Sequence, residues 1–202
     1  AMPTFLTATT GMDALTHAVE AYVSTAATPI TDASAIKAIE LIVNNLEAVV
    51  NNGEDRAARD AMQYGEYLAG MAFSNAALGY VHSMAHQLGG VYNLSHGLCN
   101  AILLAEVSRF NAQQVPERFV DIAKAMGVDV SGMTQEQAVN AALEAIDALS
   151  EKVGTKQRLA DLGVTEDKLA FMAQNALNDA CSLTNPRQAN LAEIVNIFKA
   201  RM

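Results

Sequence analysis

Asp13 and His17 stand four residues apart in Gly11-Met12-Asp13-Ala14-Leu15-Thr16-His17, and His82 and His86 repeat the interval in Val81-His82-Ser83-Met84-Ala85-His86. Residues at i and i+4 share one helix face with Cβ atoms about 5–6 Å apart, so one cation can touch both side chains of such a pair. His96 follows in Asn93-Leu94-Ser95-His96-Gly97, beside a glycine that lets the chain turn sharply. These are all four histidines of the chain, each among small or apolar neighbours. A lone histidine on an apolar face is most often a hydrogen-bonded core residue. Two i,i+4 pairs and a loop histidine are harder to dismiss, because several buried imidazoles leave several donors and acceptors to satisfy. Spacing alone leaves both readings open, a metal site or satisfied core histidines. If a metal site, imidazole nitrogens with one carboxylate and no thiolate suit Fe(II) or Zn(II) and disfavour Ca(II) and Mg(II).

The elements that must position these residues read as helices. Ile36, Ile39, Val43, Leu46 and Val50 step by three and four along one apolar stripe that ends near Asn51-Asn52-Gly53. Thr134 with Gln137 has the form of a capping box ahead of Val139, Leu143, Ile146 and Leu149. Thr165 is expected to cap a helix carrying Leu169, Met172 and Leu177, and Asn185-Pro186 to turn the chain into a last helix with Leu191, Ile194, Val195 and Phe198. The small residues from Leu68 to Gly79 predict a helix through the centre of the bundle, since small side chains permit close approach. No run of alternating β-branched residues is present. The expected fold is all-α, a single helical domain over residues 1–202, with everything from about Glu117 onward forming a peripheral sub-bundle.

Composition narrows the function classes. A net charge of −9, with 13 basic residues scattered singly, argues against nucleic acid or an anionic membrane as partner. No Asp, Glu, Lys or Arg occurs from Tyr67 to Ala105, yet polar residues and glycines interrupt that stretch. It holds no apolar run of the roughly 18 residues a membrane span needs and reads as a buried protein centre. Cys99 and Cys181 give neither a disulfide framework nor a zinc-ligand spacing, and fit a reducing cytoplasm.

The run Thr7-Ala8-Thr9-Thr10-Gly11-Met12-Asp13-Ala14-Leu15-Thr16-His17-Ala18-Val19-Glu20-Ala21-Tyr22 closely resembles one signature of the iron-containing (group III) alcohol dehydrogenases. The stretch from Gly70-Met71-Ala72-Phe73-Ser74-Asn75 through Gly79 to Gly90, ending at His96-Gly97, resembles the second. The likeness extends to Asn185-Pro186-Arg187 and so covers essentially the whole chain. It implies the C-terminal helical domain of that family, of dehydroquinate synthase-like fold. It also implies that Asp13, His17, His82 and His96 ligate the metal, that His86 lies beside substrate and nicotinamide as a proton carrier or orienting group, and that Phe73 and Cys181 line their cleft. Plain core packing remains the other reading of Phe73 and Cys181, and a simple turn that of Asn185-Pro186-Arg187. Leu104-Ala105-Glu106 stands where many relatives read Pro-His, which predicts altered polarity in the cleft.

The implied chemistry is NAD(P)-linked oxidation of a small alcohol, or reduction of an aldehyde, at Fe(II) or a substituting Zn(II). No glycine-rich phosphate loop occurs in the chain, so nicotinamide binding is expected to need a preceding nucleotide-binding domain and this chain alone to be inactive or nearly so. Apolar surface around Phe73, His86 and Cys181 is then expected to be uncovered, favouring a homo-oligomer, and Ala1 to Thr10 to be the least settled part. Two other classes remain: a stand-alone metal hydrolase with Glu106 or His86 as general base, and a structural bundle with an empty site.

Overall fold

A computed structural model describes residues 2–202; the expectation for Ala1 lies outside the described residues. The described residues form an all-α arrangement without strands: α1 (Thr4–Val23), α2 (Pro29–Asn51), α3 (Arg56–Ala76), α4 (Tyr80–Tyr92), α5 (His96–Ala112), α6 (Pro116–Ala125), α7 (Gln135–Lys152), α8 (Leu169–Asn178) and α9 (Leu191–Lys199), with short 3-10 turns between α7 and α9.

The centre belongs to α1 and α5. From Gly11 to Val23 every residue of α1 is buried except Asp13 and His17, which are half-buried. On α5 only His96, Glu106 and Arg109 escape burial. The Leu68–Gly79 segment therefore does not run through the middle. Its helix, α3, buries a narrow stripe of Gly65, Ala69, Ala72 and Ala76 against α1 and α2 and leaves Tyr64, Tyr67 and Met71 exposed. Small residues permit close approach on one side without requiring it on the others. For the same reason the charge-free stretch is only partly interior: the small-residue stripe of α3, most of α4 and the start of α5 are buried, while Tyr67, Met71, Asn75, Gly90 and Asn93 lie on the surface.

Local signals set the helix boundaries. Thr28 and Thr31 close a capping box at α2, Thr134 and Gln137 one at α7, and Asn190 and Glu193 one at α9. α2 ends at Asn51 as its sequence predicts, with its buried face centred on Ala35, Ala38, Ile39, Ile42, Leu46 and Val49. Ile36, Val43 and Val50 fall at the margin of that face. Thr165 does not cap: its hydroxyl instead meets the Tyr92 hydroxyl at 3.0 Å, and a 3-10 turn precedes α8. The second half of the chain divides between two places, with α6 and α7 together packing on α2 and α5, and α8 with α9 packing on α4 and α5. No helix among the described residues is long and apolar enough to cross a membrane.

Candidate metal centre

Asp13, His17 and Glu20 occupy one stripe of α1, and α4 and α5 bring their histidines to it. The first turn of α5 can reach α1 only because residue 97 is glycine: a Cβ there would run into the Thr9 carbonyl, with Asp13 Cβ 3.4 Å away. That approach places His96, the first residue of α5, beside Asp13. The first turn of α4 is held by Glu20, whose buried carboxylate accepts from the Gly79 amide at 3.0 Å and the Val81 amide at 2.7 Å. A carboxylate at a helix N-terminus satisfies donors that have no intrahelical partner and complements the helix dipole. The same carboxylate lies 2.7 Å from His82 Nδ1, so a proton on Nδ1 leaves the Nε2 lone pair directed at Asp13.

Asp13, His82 and His96 thereby offer ligand atoms that all lie within 4.8 Å of one another. Asp13 Oδ1 is 3.7 Å from His82 Nε2, 3.5 Å from His96 Nε2 and 3.9 Å from His17 Nε2. A tetrahedral ion with bonds of about 2.1 Å sets its ligand atoms about 3.4 Å apart. His17 joins through Asp13 and stands outside the mutual three-residue set. Its ring stacks on His82 at 4.7 Å and on Phe73 at 4.4 Å between centroids, and its buried Nδ1 has no hydrogen-bond partner among the described residues. An oxygen and imidazole nitrogens, one of them oriented by a carboxylate behind it, form a donor set that fits Fe(II) or Zn(II).

The electrostatics agree with that set. Burial tends to lower the His82 pKa, but the Asp13 and Glu20 carboxylates on its two sides outweigh it and lift the value to about 9. A site that draws a proton so strongly draws a metal cation in competition with it. Burial pushes His17 down to about 4 against the opposing pull of Asp13, leaving a neutral ring with a lone pair to give. Burial raises the Asp13 carboxyl, yet its contacts with His82, His17, Asn100 and His96 leave it below the usual carboxylate range.

His86 faces the same side from one turn further along α4. Its ring stacks on His96 at a centroid distance of 5.6 Å, and its Nδ1 lies 2.8 Å from Asp179 Oδ2. Asp179 in turn accepts from the Cys181 amide at 2.9 Å. Cys181 is half-buried, and its thiol is pushed up to about 12 by burial and by Asp179. Phe73 is half-buried against His17. A cleft of about 520 Å³ reaches Asp13 and is lined also by Thr10, Arg59, Met62 and Glu66.

Glu106 does not reach the centre. It pairs with Arg201 at 3.4 Å and Arg109 at 3.5 Å, about 15 Å along α5 from His96 at 1.5 Å per residue. The expected change of cleft polarity at this position is overturned, and Glu106 is lost as a candidate base for metal-assisted hydrolysis. Asn185 is more than a turn residue. Wholly buried, it receives the Tyr80 amide at 3.1 Å on Oδ1 and donates to Asn111 Oδ1 at 2.7 Å, tying the start of α4 to α5. Glu20, Asn100 and Asp179 were not singled out by sequence reasoning. Glu20 carried one signal, falling seven residues after Asp13 and three after His17 on the same helix stripe.

Residues 7–202 match the family described as Fe-containing alcohol dehydrogenase family, C-terminal. The chain is 52% identical over 197 residues to 1,3-propanediol dehydrogenase of Citrobacter freundii, an alignment covering 98% of this chain and 51% of that protein. It is 49% identical over 197 residues to lactaldehyde reductase of Escherichia coli strain K12, covering 98% and 51% respectively. The crystal structure of a 1,3-propanediol oxidoreductase superposes with a TM-score of 0.99 at 50% identity, covering all of this chain and 53% of that one. The chain thus spans about half the length of the curated relatives it matches. On these grounds the chain belongs to the Fe-containing alcohol dehydrogenase family and corresponds to its C-terminal half.

Proposed function

We propose that this chain is the metal- and substrate-binding part of an NAD(P)-linked dehydrogenase that interconverts small alcohols and aldehydes. The observation that carries the reading is the convergence of Asp13, His82 and His96 on one point with Glu20 fixed behind His82. Asp13, His17, His82 and His96 would hold Fe(II), or Zn(II) in its place. When bound, the ion supplies Lewis-acid polarisation of the alcohol or carbonyl oxygen.

The chain's own residues set the geometry and move the proton. With its Nδ1 proton given to Asp179, His86 keeps Nε2 free to take the proton that the alcohol releases, and to return it in aldehyde reduction. Phe73 stacks on one face of His17 and shields it from water. A nicotinamide, when bound, would supply the hydride-accepting chemistry. Its binding is assigned to the complete protein, and this chain alone is expected to turn over little or nothing. Two unpaired cysteines are in keeping with a cytoplasmic enzyme, and the exposed Tyr64, Tyr67 and Met71 on α3 with burial in a homo-oligomer.

The test is turnover of small alcohols with NAD or NADP by the complete protein, before and after chelation and after restoration with Fe(II) or Zn(II). Activity that disappears with chelation, returns with metal and is absent from Asp13→Ala supports the reading. Hydrolysis of esters or phosphoesters without alcohol oxidation, or alcohol oxidation indifferent to chelation, contradicts it.

A further inference from the structure

Asn100 occupies the heart of this centre. It lies on α5 one turn beyond His96 and has no exposed surface. Its Nδ2 is 2.6 Å from Asp13 Oδ1, 3.1 Å from His82 Nε2 and 3.1 Å from His96 Nε2. The amide orientation follows from these neighbours, because Oδ1 turned inward would face a carboxylate oxygen. An amide nitrogen carries two hydrogens, and with the His82 ring neutral three acceptors compete for them. Its own Oδ1 is buried without a partner among the described residues. The side chain thus leaves its acceptor unsatisfied while bringing a partial positive charge to the place where three lone pairs converge.

We propose that Asn100 is a placeholder for the metal ion, an inference that rests on the metal-centre reading above. Its N–H groups sit against Asp13 Oδ1, which lies 3.5 Å from His96 Nε2 and 3.7 Å from His82 Nε2, close to the spacing of a tetrahedral ligand set. Those hydrogen bonds are given up when the same lone pairs go to a divalent cation. Metal uptake is then an exchange at a preformed set of ligands, and Asn100 is a positioning residue that sets the affinity from the metal-free side.

The experiment compares Asn100→Asp and Asn100→Ala with the unaltered complete protein, each freed of metal. Thermal unfolding is followed with and without Zn(II), and the Zn(II) dissociation constant is measured by competition with a chromophoric chelator. Asn100→Asp sets a second carboxylate against Asp13, so its metal-free midpoint falls, its Zn(II)-induced rise exceeds that of the unaltered protein, and Zn(II) binds at least tenfold tighter. Asn100→Ala removes the competing amide and shifts in the same direction by less; it decides the matter if the aspartate variant fails to fold. Equal or smaller Zn(II)-induced rises in the variants would show that the amide bonds Asp13 alike in both states, overturning the placeholder. No Zn(II)-induced rise in the unaltered protein would overturn the metal-centre reading itself.

Discussion

Glu20 Oε2 lies 2.7 Å from His82 Nδ1, and both side chains are 2% exposed. The pair joins the central helix α1 to the first turn of α4, and the Gly79 and Val81 amides bond to the same carboxylate. Orientation of the proposed ligand His82 and the start of α4 thus depend on one side chain. Glu20→Gln keeps the shape and removes the charge. It should weaken metal binding by about 10- to 100-fold and lower stability by about 3 kcal/mol or more, since a buried partner is left uncompensated. Chelator competition and denaturant unfolding on the one variant measure both effects.

Glycines 97 and 70 form a matched test of the contact between α5 and α1. Gly97→Ala drives a methyl into the Thr9 backbone, which should cost about 1–3 kcal/mol and reduce metal affinity by separating His96 from Asp13. A methyl group added at Gly70 on α3 would meet nothing within 4 Å, so Gly70→Ala should stabilise by about 0.5–1 kcal/mol and leave metal affinity unchanged. Urea unfolding and metal titration of the two variants supply the comparison.

Ala77, between α3 and α4, adopts φ 59° and ψ −162°, a region suited essentially to glycine. The surroundings enforce it: Thr184 Oγ1 donates to the Leu78 carbonyl at 2.6 Å and Glu20 holds the Gly79 amide. Such a conformation costs of order 1–3 kcal/mol in a non-glycine residue. After allowing for glycine's greater unfolded-state freedom, Ala77→Gly should raise stability by about 1 kcal/mol. A thermal or denaturant midpoint that falls instead would show that the loop carries no such strain.

His86 and His82 share a helix and are assigned different roles. His86→Ala in the complete protein should lower turnover by about 100-fold or more, while metal affinity changes less than the loss expected for His82→Ala. Steady-state kinetics beside metal titration separates the two histidines; equal losses of metal from both variants would contradict the assignment.

What the sequence revealed follows from the range of each interaction. The capping box at Thr134 and Gln137 is complete within four residues and was legible without tertiary information. Asp13, His17, His82 and His96 were legible because their side-chain types and the signatures around them are distinctive. Glu20 and Asn100 were not: a carboxylate and an amide in helices look like surface residues until α1, α4 and α5 pack together. The Leu68–Gly79 segment misled because small residues show that one close contact is possible, not how many sides are covered. Thr165 misled because Tyr92, 73 residues away, takes its hydroxyl.

The direct test of the central claim is anomalous diffraction from crystals of the protein loaded with Fe(II) or Zn(II), recorded at the metal edge. One strong peak is expected within about 2.0–2.3 Å of Asp13 Oδ1 and of the His17, His82 and His96 imidazoles, with His86 outside bonding distance. A peak among His86, Asp179 and Cys181, the other group among the described residues whose potential ligand atoms lie within 4.8 Å of one another, or no peak at Asp13 under saturating metal, would contradict it.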